Sequence, residues 1–247
     1  SLLCGANGSG KSTLLQMANG IVRPDRGSVL FKGERLKAYF RNREPIHGRI
    51  GLLFQNAERQ LFSETVRDDI AFGPRNLGLS RQEVSRRVRE AALWVGLDED
   101  VLSRPVHTLS GGQMRRAAVA GVLAMDPELL VLDEPTDGLD PAGTGEFFQR
   151  AHDYCRSKGT TILMAGHRIP DQAGLLDHVA YLRGGKVVLS GPPSRVLGGT
   201  SGALPEGFLP EHLKVQNYLR SLGILTGDPE LDPARALDKM LRLAPGP

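Results

Sequence analysis

Gly5-Ala6-Asn7-Gly8-Ser9-Gly10-Lys11-Ser12 sets glycines, a lysine and a hydroxyl residue at a spacing suited to holding phosphate. Glycines let the backbone wrap closely around phosphate oxygens with its N–H groups turned inward, where side chains would block the approach. Lys11 brings positive charge to the outer phosphates, and the Ser12 hydroxyl is placed to ligate magnesium. Thr13 completes the nucleotide-contacting stretch. Leu2-Leu3-Cys4 reads as the end of a buried strand, and residues 12–18 as the opening of a helix whose N-terminal dipole favours an anion. Strand before and helix after separate a phosphate loop from a chance glycine-rich turn. The ligand implied is a nucleoside triphosphate.

Two further strings bear on chemistry. Leu130-Val131-Leu132-Asp133-Glu134 is an apolar strand ending in two acids. Asp133 would hold the magnesium shell, while Glu134 sits where it could polarise an attacking water. Alone, two acids before Pro135-Thr136 could be a helix cap or a surface turn; the phosphate loop favours the chemical reading. Leu109-Ser110-Gly111-Gly112-Gln113 is a glycine-rich turn opening a helix, whose free N–H groups suit a second phosphate contact.

The elements that must position these residues are legible. Residues 28–32 and 49–54 read as strands, with turns at Pro24-Asp25-Arg26-Gly27 and around Gly33. Residues 80–95 carry Val84, Val88, Ala91, Ala92 and Val95 at helical spacing after a Ser80 cap, with Glu83 in the capping-box position. Residues 65–107 lack a strong strand pattern and are expected to form a small helical subdomain. Residues 128–132, 160–165, 179–182 and 186–189 read as strands. Strands alternating with helices predict an α/β fold on a mostly parallel sheet, with active residues at strand carboxyl ends.

Composition narrows the function classes. At 247 residues, 40% hydrophobic and 24% charged, the chain is an ordinary globule of one large core or two joined subdomains. A net charge of +3 is small for this size and argues little for nucleic acid. The basic cluster Arg81, Arg86, Arg87 and Arg89 is interleaved with Glu83 and Glu90, as on a solvated helix face. Cys4 and Cys155 lack metal-ligand spacing and a disulfide framework, which suits a reducing compartment. No apolar run is long enough to span a bilayer, so a membrane connection would come through a partner chain. The sequence begins inside the strand of the phosphate loop, so further sheet residues are expected before it.

The order of phosphate loop, Gln55, Leu-Ser-Gly-Gly-Gln, Asp133-Glu134, Gly138-Leu139-Asp140 and His167 resembles that of ATP-binding-cassette (ABC) transporter ATPases, from Leu2 to about Leu197. Gln55-Asn56-Ala57-Glu58-Arg59-Gln60-Leu61-Phe62, Asp69-Ile70-Ala71-Phe72-Gly73-Pro74 and residues 118–125 are similar to the energy-coupling-factor branch, which includes cobalt, nickel and vitamin importers. The resemblance implies a P-loop NTPase with a RecA-like core, an antiparallel β subdomain and an α-helical subdomain. It implies an ATP- and Mg²⁺-dependent ATPase, peripheral on the cytoplasmic face of the cell membrane, with integral membrane subunits as partners and no direct nucleic-acid contact.

By the same resemblance, two ATPase subunits pair head to tail. ATP then lies between Gly5, Asn7, Gly8, Ser9, Gly10, Lys11, Ser12 and Thr13 of one subunit and Ser110, Gly111, Gly112 and Gln113 of the other. Gln55 joins Ser12 and Asp133 in the magnesium and water shell, His167 hydrogen-bonds the γ-phosphate beside Glu134, and Asp140 crosses the interface. Gly166 and Arg168 depart from the family's hydroxyl before and acid after the histidine, and Ala6 stands where proline is common. Rivals are a nucleic-acid-remodelling ABC ATPase acting in repair or translation, whose coiled-coil insertion or second cassette is missing here, an exporter or other-class ABC importer ATPase, and a non-enzymatic cassette, against which Lys11, Asp133 and Glu134 stand. Residues 55–72 are expected to seat a membrane partner through Gln60, Leu61 and Phe62, ringed by Glu58, Glu64, Asp68 and Asp69.

Residues 198–203 read as a flexible joint and 204–247 as a helical extension, with Val215, Tyr218, Leu219 and Leu222, then Leu237, Met240 and Leu241, at helical spacing. Those stripes either cap the core or meet the partner ATPase.

Overall fold

The computed structural model describes residues 1–36, 48–55, 60–198 and 204–242. Residues 56–59, with Glu58, and residues 199–203 of the expected joint lie outside this set. Along the chain run β1 (Leu2–Gly5), α1 (Lys11–Ala18), β2 (Leu30–Phe31), β3 (Glu34–Arg35), β4 (Ile50–Leu53), α2 (Val66–Asn76), α3 (Arg81–Trp94), α4 (Glu99–Leu102), α5 (Gly111–Leu123) and β5 (Leu129–Asp133). There follow α6 (Pro141–Lys158), β6 (Thr161–Gly166), β7 (Val179–Arg183), β8 (Lys186–Gly191), α7 (Pro193–Leu197), α8 (Glu211–Ser221) and α9 (Pro233–Leu241). The chain divides into two compact units, one of residues 1–12, 136–152 and 164–247, the other of residues 13–135 and 153–163.

In the first unit β1 is buried along its length and pairs in parallel with both β6 and β7, Leu2 lying opposite Met164 and Val179. A strand covered on both faces reads as an unbroken apolar run, which is why Leu2-Leu3-Cys4 shows no alternation. The turn Gly184-Gly185 reverses the chain, and β8 returns antiparallel to β7.

The second unit holds β4 and β5, parallel with Leu53 opposite Leu132, the short antiparallel pair β2 and β3, and the helices α2 to α5. The expected strand at 28–32 shrinks to Leu30 and Phe31. α3 starts at the Ser80 cap, whose Oγ accepts from Glu83 N–H at 3.3 Å, and buries Val84, Val88, Ala91 and Ala92. Val95 falls past its end as the C-cap. The expected capping box is only half formed, because the Glu83 carboxylate turns to Arg86 and Arg87. Arg86 first, then Arg87, holds that carboxyl down at about 2. The full box sits on α5, where Ser110 and Gln113 bond reciprocally. α5 packs on α2 and α3.

The C-terminal helices carry most of the expected apolar stripes on their outer side. Val215, Tyr218, Leu222, Leu237 and Leu241 are exposed, while Leu213, Gln216 and Ala236 are fully buried. Gln216 explains the rotation. Its amide nitrogen donates to the Glu230 carbonyl and its Oε1 accepts from Glu230 N–H, both at 2.9 Å. A buried amide so matched is satisfied, and a polar residue can occupy the inward face.

Candidate functional site

In the first unit the phosphate loop follows the carboxyl end of β1. Gly8 and Gly10 adopt φ of 76° and 99°, conformations that L side chains rarely take. Gly5 answers to space instead: a Cβ there would lie 2.6 Å from the Leu182 carbonyl oxygen and 2.7 Å from Ser9 Oγ. Ser9 N–H donates to the Ala6 carbonyl at 3.1 Å and closes the turn. Lys11 is buried, its Nζ donating to the carbonyls of Gly5 at 2.9 Å and Ala6 at 3.2 Å. The lysine is thus folded back into the loop it charges. Asn7, Gly8 and Ser12 are exposed. The Cys4 thiol is pushed up to about 12, chiefly by burial, so it stays a neutral core group.

Asp140 and His167 lie in the same unit. Asp140 Oδ1 accepts from Gly143 N–H at 2.7 Å and caps α6. His167 follows the carboxyl end of β6 and is exposed, and its imidazole makes no hydrogen bond among the described residues.

In the second unit Gln55 and the acid pair follow the carboxyl ends of neighbouring parallel strands, β4 and β5. Gln55 Nε2 donates to Glu134 Oε2 at 2.9 Å. Glu134 takes φ of 49°, a left-handed conformation costly for a residue with a side chain, on the order of 1–3 kcal/mol. Arg115, from α5, donates to the Glu134 carbonyl at 2.8 Å and fixes that turn. The sequence gives no sign of this role for Arg115. Its partner is a backbone atom 19 residues away, which only the fold brings near.

Asp133 is 7% exposed, and its Oδ1 is buried without a hydrogen-bond partner among the described residues. A buried carboxylate oxygen lacking a donor is costly unless a cation satisfies it, so the residue suits a metal ion. Thr13 is exposed at the head of α1. Gly111 and Gly112, also exposed, have ordinary backbone angles and no atom within 4 Å of where a Cβ would stand, so nothing in the chain's own packing demands glycine there.

The expected docking segment is altered. Phe62 is 66% and Phe72 47% exposed, with ring centroids 4.8 Å apart edge to face. Asp69 is buried and accepts from Phe62 N–H and Ser63 N–H at 2.8 Å each, so its charge fastens the turn and is not offered outward. Asp68 is engaged by the Thr65 hydroxyl and by Arg75, which hold its carboxyl below the usual range. Glu64 stays exposed.

The ABC transporter family matches residues 1–137. This chain belongs to the ABC transporter ATPases. It is 45% identical over 194 residues to the energy-coupling factor transporter ATP-binding protein EcfA of Methanocaldococcus jannaschii, covering 78% of this chain and 69% of the relative. To EcfA2 of Bacillus subtilis it is 41% identical over 233 residues, covering 92% and 84% of the two chains. The structure of cbiO1 from Clostridium perfringens, described as part of the ABC transporter complex cbiONQ, superposes with a TM-score of 0.74 at 37% identity, covering 90% of this chain and 84% of that one. This ABC ATPase thus places its expected general base and its strand-end glutamine in one hydrogen bond.

Proposed function

We propose that this ABC ATPase binds Mg-ATP in a head-to-tail pair of ATPase subunits and energises import of a small nutrient, a cobalt or nickel ion or a vitamin, through integral membrane subunits on whose cytoplasmic face it sits. The observation that carries the catalytic part is the Gln55–Glu134 hydrogen bond on a residue strained at φ 49°. A carboxylate held at a strand end by a neutral amide can accept the proton of an attacking water. Gln55, sharing that bond, would feel any change at the water position. Lys11 would counter the outer phosphates, while Ser12, Asp133 and Gln55 would hold the magnesium. The metal, when bound, neutralises developing charge on the phosphates. His167, whose imidazole makes no hydrogen bond among the described residues, would donate to the γ-phosphate.

The pairing is supported by Gly111 and Gly112, which the chain's own packing does not need. A close approach from outside would explain them, with Ser110 and Gln113 fixing the helix end by their capping box. The importer assignment draws on the relatives named EcfA and EcfA2, and the membrane contact on the exposed Phe62 and Phe72.

The test is Glu134→Gln. It should keep ATP binding and lower turnover by at least about 100-fold, as loss of a general base does. A Mg-ATP-dependent dimer should then accumulate on size-exclusion chromatography. A variant that stays monomeric and releases phosphate at the normal rate would reject the role.

A further inference from the structure

The segment leaving β6 carries His167 and runs on through Arg168, Ile169, Pro170 and Asp171. Its first tightly held residue past the histidine is Ile169, which is 4% exposed and whose N–H donates to the Phe208 carbonyl at 3.0 Å. That acceptor belongs to none of the nucleotide motifs. It lies in the single turn Glu206–Phe208 that precedes α8.

The same stretch is anchored on β7 and lies against the segment a second time. The Phe208 ring meets the Tyr181 ring edge to face at 5.1 Å, fixing Phe208 against β7. His212, on the first turn of α8 with a side chain only 10% exposed, places Nδ1 3.6 Å from Asp171 Oδ1. Leu213, beside it, is fully buried. Further on, Gly174 is backed by Leu231, 3.7 Å from where a Cβ would stand. All of these residues lie in the first unit.

A backbone N–H two residues beyond a side chain, once paired inside the protein, fixes the peptide planes that aim that side chain. We infer that Phe208 and His212 are positioning residues for His167, clamping the segment through Ile169 and Asp171 so that the imidazole is held ready for the γ-phosphate. The C-terminal extension is then part of the hydrolytic machinery through its hold on this segment. This rests on the reading of His167 given under Proposed function.

The experiment is steady-state ATP hydrolysis by the full chain carrying Phe208→Ala, His212→Ala or Asp171→Ala, with and without His167→Ala. Phe208→Ala should lower kcat at least about fivefold with KM for ATP within about twofold, because the phosphate loop is untouched. Asp171→Ala and His212→Ala should give smaller losses of the same kind, and Phe208→Leu should restore most of the rate. In the His167→Ala background none of the three should lower kcat further, since residues acting as one unit are not additive. Losses that multiply with that of His167→Ala, that appear in KM, or that only follow a fall in the folded fraction by circular dichroism would overturn the clamp. So would full activity in all three variants while His167→Ala is inactive. If His167→Ala itself keeps the normal rate, the role of His167 fails, and the clamp with it.

Discussion

Glu134 is constrained from three sides: a left-handed backbone, Arg115 on its carbonyl and Gln55 on its carboxylate. Strain of this kind persists only where neighbours over-determine it. Lys11 is prepared differently. Its ammonium rests on the carbonyls of Gly5 and Ala6, so a phosphate would meet a charge already in place. Lys11→Ala should therefore weaken ATP binding by at least about 100-fold, roughly the value of a charge-assisted contact to phosphate in a partly desolvated loop. Titration with a fluorescent ATP analogue measures it, with circular dichroism to confirm the fold; near-normal affinity would sink the assignment. At this scale the candidate residues stand out in the sequence, because glycine, lysine and paired acids have few alternative uses at such spacing. Arg115 and the inward turn of Asp69 were not, since each depends on backbone partners that come near only on folding.

Among the elements, α5 separates folding from function most sharply. Its capping box satisfies its first turn, and its glycines at 111 and 112 meet no neighbour. A glycine in a helix costs up to about 1 kcal/mol relative to alanine. Gly111→Ala should leave the melting temperature unchanged or slightly raised and, if the proposed head-to-tail pair forms, reduce ATP turnover at least about tenfold, because a methyl group would stand where that pair brings the partner's nucleotide. A fall in stability with activity intact would reverse that assignment. The strands at 50–53, 129–133 and 161–166 fell within a residue or two of their expected places, since apolar runs this short favour a strand over a helix on length. α8 and α9 were harder to orient. Helical spacing gives a stripe without saying which stripe faces in, and a matched amide such as that of Gln216 can take an inward position that no apolar pattern marks.

For the molecule as a whole, the proposed importer role needs a hold on a membrane partner, and among the described residues no helix is long and apolar enough to cross a membrane. The second unit offers Phe62 and Phe72, two rings locked edge to face and both largely in solvent. Large aromatic rings exposed side by side are uncommon on a free surface and typical at the centre of an interface. The acids around them divide the labour: Asp69 holds the turn that presents Phe62, Asp68 in the first turn of α2 pairs with Arg75 in its last, and Glu64 is exposed, where the proposed partner's basic group could meet it. Charge reversal at Asp68 would therefore damage the seat itself and report on folding. Phe62→Asp is the cleaner test, because the ring is exposed and its loss removes an anchor worth about 2 kcal/mol or more in a typical interface. The variant should leave the membrane fraction of cells that express the whole assembly, while the purified subunit hydrolyses ATP within about twofold of the normal rate. Membrane fractionation beside a phosphate-release assay decides it: a variant that still sediments with membranes in full would place the partner elsewhere on the surface.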